Sequence, residues 1–143
     1  GTGVFICRKG LIENVLTKEA EYVEGMDLTL CGSRSGANAV AVWMILFTYG
    51  PYAWYEKISI LMMRTQFLTK ELDALGIEYY NCPFMNIVTI KAEFVPENIA
   101  HKFGLVPQQH NENNKWYKIV LMDHVEVEHL TNFIDEMKAS KNG

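Results

Sequence analysis

Leu30-Cys31-Gly32-Ser33-Arg34-Ser35-Gly36-Ala37 leads directly into an apolar block that runs from Ala39 to Phe47. A glycine-flanked polar loop that opens onto an apolar helix is a natural anion site. Helix N-termini leave backbone N–H groups unpaired, and the helix dipole adds positive potential there. Ser33 and Ser35 bring hydroxyl donors, and Arg34 brings a forked cation matched to phosphate or carboxylate. Gly32 and Gly36 let the backbone approach a ligand closely. A plainer reading stands beside this one: Ser33 caps the helix and Arg34 makes an interfacial ion pair.

Downstream of the loop, Ala37 to Tyr49 is expected to be a helix, apolar nearly all round and therefore buried on most sides. Trp43, Met44 and Phe47 fit a core or a subunit interface better than a cofactor pocket. Gly50-Pro51 breaks the helix, and Pro51 suits the first turn of the next. That second helix carries Trp54, Ile58, Leu61, Met62, Thr65, Leu68, Leu72 and Leu75 at spacings of three and four. Lys57, Arg64, Lys70, Glu71 and Asp73 fall mostly off this stripe, and Gly76 is placed to end the helix.

Upstream, Val4 to Arg8 reads as a buried strand and Leu11 to Thr17 as a short helical turn. A chain that lacks an initiator Met and opens on such a strand is expected to be a piece of a longer one. The second half alternates: strands at Ile77–Tyr80, Asn86–Lys91 and Trp116–Met122, helices at Pro96–Phe103 and Glu126–Lys138. The polar stretch Gln108–Lys115 reads as an exposed hairpin connection, with a substrate lid as the alternative. Strands returning around helices predict an α+β layer with an antiparallel or mixed sheet.

The 143 residues fit one domain with an appendage, and 49% apolar residues supply a core. A net charge of −4 gives no support to a nucleic-acid partner. Three scattered cysteines, Cys7, Cys31 and Cys82, point to a reducing, cytoplasmic setting rather than a disulfide framework. The longest apolar run is too short for a bilayer, which takes about 20 residues, so no membrane is expected. His101, His110 and His129 have no metal-ligand spacing, and no metal is expected. His124, between a strand and the last helix, reads either as a substrate-facing or loop-locking imidazole or as a structural histidine.

Four segments occur in a familiar order: Gly1-Thr2-Gly3-Val4-Phe5-Ile6-Cys7-Arg8-Lys9, the Leu30–Ala37 loop, Pro83-Phe84-Met85-Asn86-Ile87-Val88, and Ile119-Val120-Leu121-Met122-Asp123-His124-Val125. In this the chain resembles the C-terminal portion of group II pyridoxal-phosphate-dependent amino-acid decarboxylases. Archaeal-type tyrosine/aspartate decarboxylases and bacterial histidine decarboxylases come nearest, and sphingosine-phosphate lyases share the Gly-Ser-Arg loop.

The resemblance implies a fold-type-I, aspartate-aminotransferase-like architecture. Residues 1–49 would be the tail of the cofactor-binding large domain, with its last strand and an interface helix. Residues 50–76 would be a long connecting helix, and 77–143 the C-terminal small domain. The resemblance also implies a carboxy-lyase acting on an amino acid as a homodimer. Its Schiff-base Lys would lie just upstream of Gly1, leaving no catalytic residue in this chain and the chain inactive alone. Ser33, Arg34, Ser35 and Gly36 would serve the phosphate of the partner's pyridoxal phosphate. The family often has Pro where Asp123 stands and Thr where Glu126 stands. A stand-alone binding module with the small-domain fold, or a pyridoxal enzyme of another reaction type (a lyase or aminotransferase), remains the alternative.

Overall fold

The computed structural model describes residues 6–15, 35–109 and 114–142. These form two units, Gly1–Gly50 and Pro51–Gly143.

In the first unit, a 3-10 turn at Ile12–Val15 is closed by Asn14 N–H donating to the Leu11 carbonyl at 3.2 Å, directly after a turn in which Leu11 N–H donates to the Arg8 carbonyl at 3.1 Å. The expected strand at Val4–Arg8 is not found where it can be judged. Val4 and Phe5 lie outside the described residues, and Ile6 to Arg8 are not in a strand, with Ile6 86% exposed. A strand is held by pairing with a neighbour, and no described segment pairs with this one.

Helix α1 (Gly36–Ala74) is two helical segments, 36–49 and 51–74, parted at Gly50, whose φ of 62° and ψ of 178° are not helical. The break is local chemistry. Pro51 disfavours helical backbone in the residue before it, and only glycine takes this φ/ψ combination readily. The first segment is not buried as its composition predicted. Val40, Trp43, Met44, Leu46 and Phe47 are 50–76% exposed, because no described residue covers them.

The second unit is built round a four-stranded sheet, with β1 (Tyr79–Asn81), β2 (Ile87–Lys91), β3 (Val106–Pro107) and β4 (Trp116–Val120) in the order β1-β2-β4-β3. Every neighbouring pair is antiparallel. β2 places Val88 and Ile90 inward and Ile87 and Thr89 outward, as alternation on a half-covered sheet requires.

The inward face meets segment 51–74, α2 (Glu97–Lys102) and α3 (Val127–Asn142). Leu68, Leu72, Val88, Ile90, Leu121, Leu130, Phe133 and Ile134 form the core, and Phe103 meets Phe133 edge-to-face at 5.3 Å. Burying side chains of this size stabilises by about 1.5–3 kcal/mol each. The apolar stripe of the second helix is therefore buried only in its C-terminal half. Thr65, Leu68 and Leu72 are inside, while Ile58 is 54% exposed beyond the reach of the sheet. Thr65, the buried polar residue of the core, returns its hydroxyl to the Leu61 carbonyl at 2.8 Å.

Two glycines end helices as the sequence predicts. Gly76 (φ 63°) closes segment 51–74, with Gly76 N–H on the Asp73 carbonyl and Ile77 N–H on the Leu72 carbonyl, both at 3.0 Å. Gly104 (φ 61°) repeats the arrangement after α2. Lys138 on α3 pairs with Glu71 at 3.1 Å. Cys7 and Cys82 are free thiols.

Candidate functional site

Of the predicted anion loop, Ser33 and Arg34 lie outside the described residues, and Ser35 and Gly36 lie within them. Ser35 sits directly before α1 and its carbonyl accepts the Asn38 N–H at 3.1 Å, which opens the first turn. Ser35 and Gly36 are both exposed. A Cβ added at Gly36 would meet nothing within 4 Å. Among the described residues nothing crowds Gly36, and a helix start of this kind leaves amides that can serve an anion.

His124 lies in the short connection from β4 to α3. Its loop is pinned from several sides. At the strand end, Asn86 donates its side-chain amide to the Leu121 carbonyl at 2.7 Å, and Leu121 N–H donates to the Asn86 carbonyl at 2.9 Å. The turn closes through Val125 N–H on the Met122 carbonyl at 2.9 Å. From segment 51–74, Arg64 donates to the Asp123 carbonyl at 3.0 Å and to the Glu126 carboxylate at 2.5 Å. Lys57 donates to the Asp123 carboxylate at 3.1 Å. The bonds that hold this loop therefore come from Asn86, Arg64 and Lys57. Among the described residues the His124 ring makes none, and it is exposed.

His129 has a role that the sequence reading missed. Its Nδ1 accepts the Glu126 N–H at 3.3 Å, three residues back at the start of α3. This is the capping-box geometry with an imidazole in place of the usual Glu or Gln. The spacing was visible in the sequence, but the residue type hid it.

A cavity of about 390 Å³ opens beside the loop. It is bounded by residues 102–106, the outer part of β4, and the start of α3, and both His124 and His129 line it. Away from it, two groups are perturbed. Burial, helped by the Asp73 carboxylate, raises the Tyr79 phenol above its usual range near 10. A hydrogen bond with Glu78 raises exposed Lys91. Among the described residues no cluster of His, Cys, Asp and Glu is gathered as a metal site, and no helix is long and apolar enough to cross a membrane.

Comparison with known proteins gives these features a frame. A tryptophan decarboxylase of Clostridium sporogenes is 54% identical over 138 residues, covering 96% of this chain and 33% of its own length. A probable L-tyrosine/L-aspartate decarboxylase of Methanococcus maripaludis is 28% identical over 150 residues, covering 97% of this chain and 37% of its own. Among solved structures, L-methionine decarboxylase from Streptomyces sp. 590 superposes with a TM-score of 0.58 at 20% identity, over 86% of this chain and 26% of that one. The chain matches the C-terminal portion of the group II pyridoxal-phosphate-dependent amino-acid decarboxylases.

Its fold is that of the corresponding part of these fold-type-I decarboxylases. No family model matches the chain. The chain spans about a third of the length of the curated decarboxylases it matches. In this chain the exposed Ser35 and Gly36 fit a phosphate, with a hydroxyl before the helix start and room at Gly36 where a side chain would stand. Asp123, where the family often has Pro, has its carboxylate on Lys57.

Proposed function

We propose that this chain is the C-terminal part of a pyridoxal-phosphate-dependent amino-acid decarboxylase that works as a cytoplasmic homodimer. The observation that carries the reading is the 54% identity to a tryptophan decarboxylase, sustained over 96% of the chain. Identity at that level supports an aromatic L-amino acid, tryptophan first, as substrate. Bound pyridoxal phosphate supplies the electron sink that accepts the electron pair left when the carboxylate departs as carbon dioxide.

This chain's own residues do the holding. The hydroxyls of Ser33 and Ser35 and the first amides of α1 at Gly36 donate to the phosphate of the partner subunit's cofactor. Arg34 neutralises it or steadies the loop. Residues 36–49 form the apolar seam that joins the loop to the rest of the dimer. On this reading His124, exposed on a loop held by Arg64 and Lys57, is the imidazole available to the substrate. The Schiff-base lysine belongs to the part of the protein that precedes Gly1.

The test uses the full-length protein. It is expected to release carbon dioxide from L-tryptophan. Arg34→Ala is expected to speed loss of the cofactor on dialysis while leaving the thermal midpoint of the cofactor-free protein in place. Equal cofactor retention in Arg34→Ala and parent removes the phosphate role. Absence of carbon dioxide release from every aromatic or acidic amino acid removes the decarboxylase reading.

A further inference from the structure

We propose that Arg64 is a positioning residue for the reaction: by gripping the turn between β4 and α3 on both sides of His124, it fixes where that imidazole stands. The inference rests on the reading of His124 as the imidazole available to the substrate.

The His124 ring is exposed and makes no hydrogen bond among the described residues. A side chain with no bond of its own is placed by its backbone, within its few rotamers. The backbone in question is the stretch 122–126. Its own closure, Val125 N–H on the Met122 carbonyl at 2.9 Å, shapes the turn but ties it to nothing else. Asn86 holds Leu121, at the strand end before the turn. Lys57 takes the Asp123 carboxylate, a side-chain group that swings about its own torsions and is 68% exposed. Arg64 differs from these. One arm of its guanidinium donates to the Asp123 carbonyl at 3.0 Å, a main-chain atom directly before His124. The other arm donates to the Glu126 carboxylate at 2.5 Å, two residues after it. Two bonds from one planar group therefore straddle the imidazole.

The base of this clamp is rigid. Arg64 stands beside Thr65, and one and two turns before Leu68 and Leu72, and all three are buried. Its side chain is covered, so water has little access to replace its partners. The turn is thus tied to the core through a side chain that the core itself holds in place. Lysine at this position would bring a single ammonium without the fixed fork, and could not keep both partners at the same spacing.

The experiment measures kcat/KM for carbon dioxide release from L-tryptophan by the full-length protein. It compares the parent, Arg64→Gln, Arg64→Lys, His124→Asn and the two double variants, with the thermal midpoint of each. Arg64→Gln is expected to lower kcat/KM about tenfold and Arg64→Lys about threefold, as partial misplacement of a reacting group does. In the His124→Asn background both Arg64 changes are expected to lower the thermal midpoint as before. There they are expected to leave kcat/KM where His124→Asn alone puts it. Losses that multiply in the double variants, or kcat/KM unchanged in both Arg64 variants, overturn the positioning role and leave the role of His124 standing. A His124→Asn variant as active as the parent removes the imidazole and the positioning role together, with the decarboxylase reading intact. A parent that releases no carbon dioxide removes that reading, and the positioning role with it. Arg64→Lys carries the comparison alone if Arg64→Gln does not fold.

Discussion

Arg64 shows how much of this molecule is decided by single side chains acting across long stretches of sequence. In the sequence it falls off the apolar stripe and reads as a solvated charge. In the fold it is only 13% exposed and holds both the Asp123 carbonyl and the Glu126 carboxylate, 59 and 62 residues away. No local pattern announces such a contact, because its partners come together only when the sheet forms. Arg64→Ala is expected to destabilise the protein by about 1–2 kcal/mol, since two bonds from a largely covered guanidinium are lost but the exposed Glu126 can return to water. Lys57→Ala, acting on a half-buried lysine paired with an exposed carboxylate, is expected to cost about 1 kcal/mol or less. Urea titrations of the two variants check the ranking, and faster amide exchange at 122–126 in Arg64→Ala alone would locate the effect. Tyr79 carries the pH dependence at this scale. Its phenol titrates higher in the folded state than in the unfolded one, chiefly through burial. The unfolded state therefore loses its proton first as pH rises. This stabilisation is complete below about pH 10 and is lost as pH climbs through the folded value. Lys91, raised by Glu78, acts in the same alkaline window. Tyr79→Phe is expected to flatten the fall in stability above pH 10, measured by denaturation midpoints between pH 8 and 11.5.

Helix ends, by contrast, were open to reading from the sequence. Gly76 and Gly104 stand two residues past the last residue of their helices with positive φ, and the Gly50-Pro51 pair divides α1 where the dipeptide predicts. These signals are short-range: a missing Cβ or a fixed ring acts on its own backbone whatever surrounds it. The strands were legible for the same reason where alternation ran long enough, as in β2 and β4. The two-residue β3 was not, for Val106-Pro107 is too short to carry a period, and it pairs only because β4 passes beside it. The candidate site divides along the same line. The serine and glycine at the start of α1 could be named from local chemistry, whereas the cavity by α3 is assembled from three separated elements. Gly76 tests the local account cleanly. A Cβ there would touch nothing within 4 Å, so the whole cost of Gly76→Ala is the left-handed backbone. That cost is expected to be about 1 kcal/mol, with Gly76→Asn milder because Asn tolerates this conformation. Equal midpoints for Gly76→Ala and parent in thermal unfolding would refute it.

For the molecule as a whole, the deciding quantity is the apolar surface that segment 36–49 leaves open. The composition of that segment marks it as a helix, which the structure bears out, and as buried on most sides, which the described residues do not. It could not say that the burying surface is absent from the described residues, since a sequence records a residue's preference and not its neighbour. Trp43, Met44, Ile45, Leu46 and Phe47 are five successive residues, which at helical pitch point all the way round the axis, and each is at least 47% exposed. A helix apolar on every side wants cover on more than one side. Cover of that kind is what the homodimer proposed above would give. Residues 51–143, with their own sheet, core and helix caps, have what independent folding requires. This 143-residue chain expressed alone is therefore expected to self-associate through the helix, burying side chains worth about 1.5–3 kcal/mol each. A chain of residues 51–143 is expected to stay monomeric and unfold cooperatively. Trp43→Glu combined with Phe47→Glu, which breaks the stacked ring pair at 5.2 Å, should shift the longer chain to monomer with little change in far-UV dichroism. Light scattering across a hundredfold concentration range reads all three species. A monodisperse monomer from the unmodified 143-residue chain at the top of that range would mean that the helix needs no cover, and with it would go the reason for placing this segment at an interface.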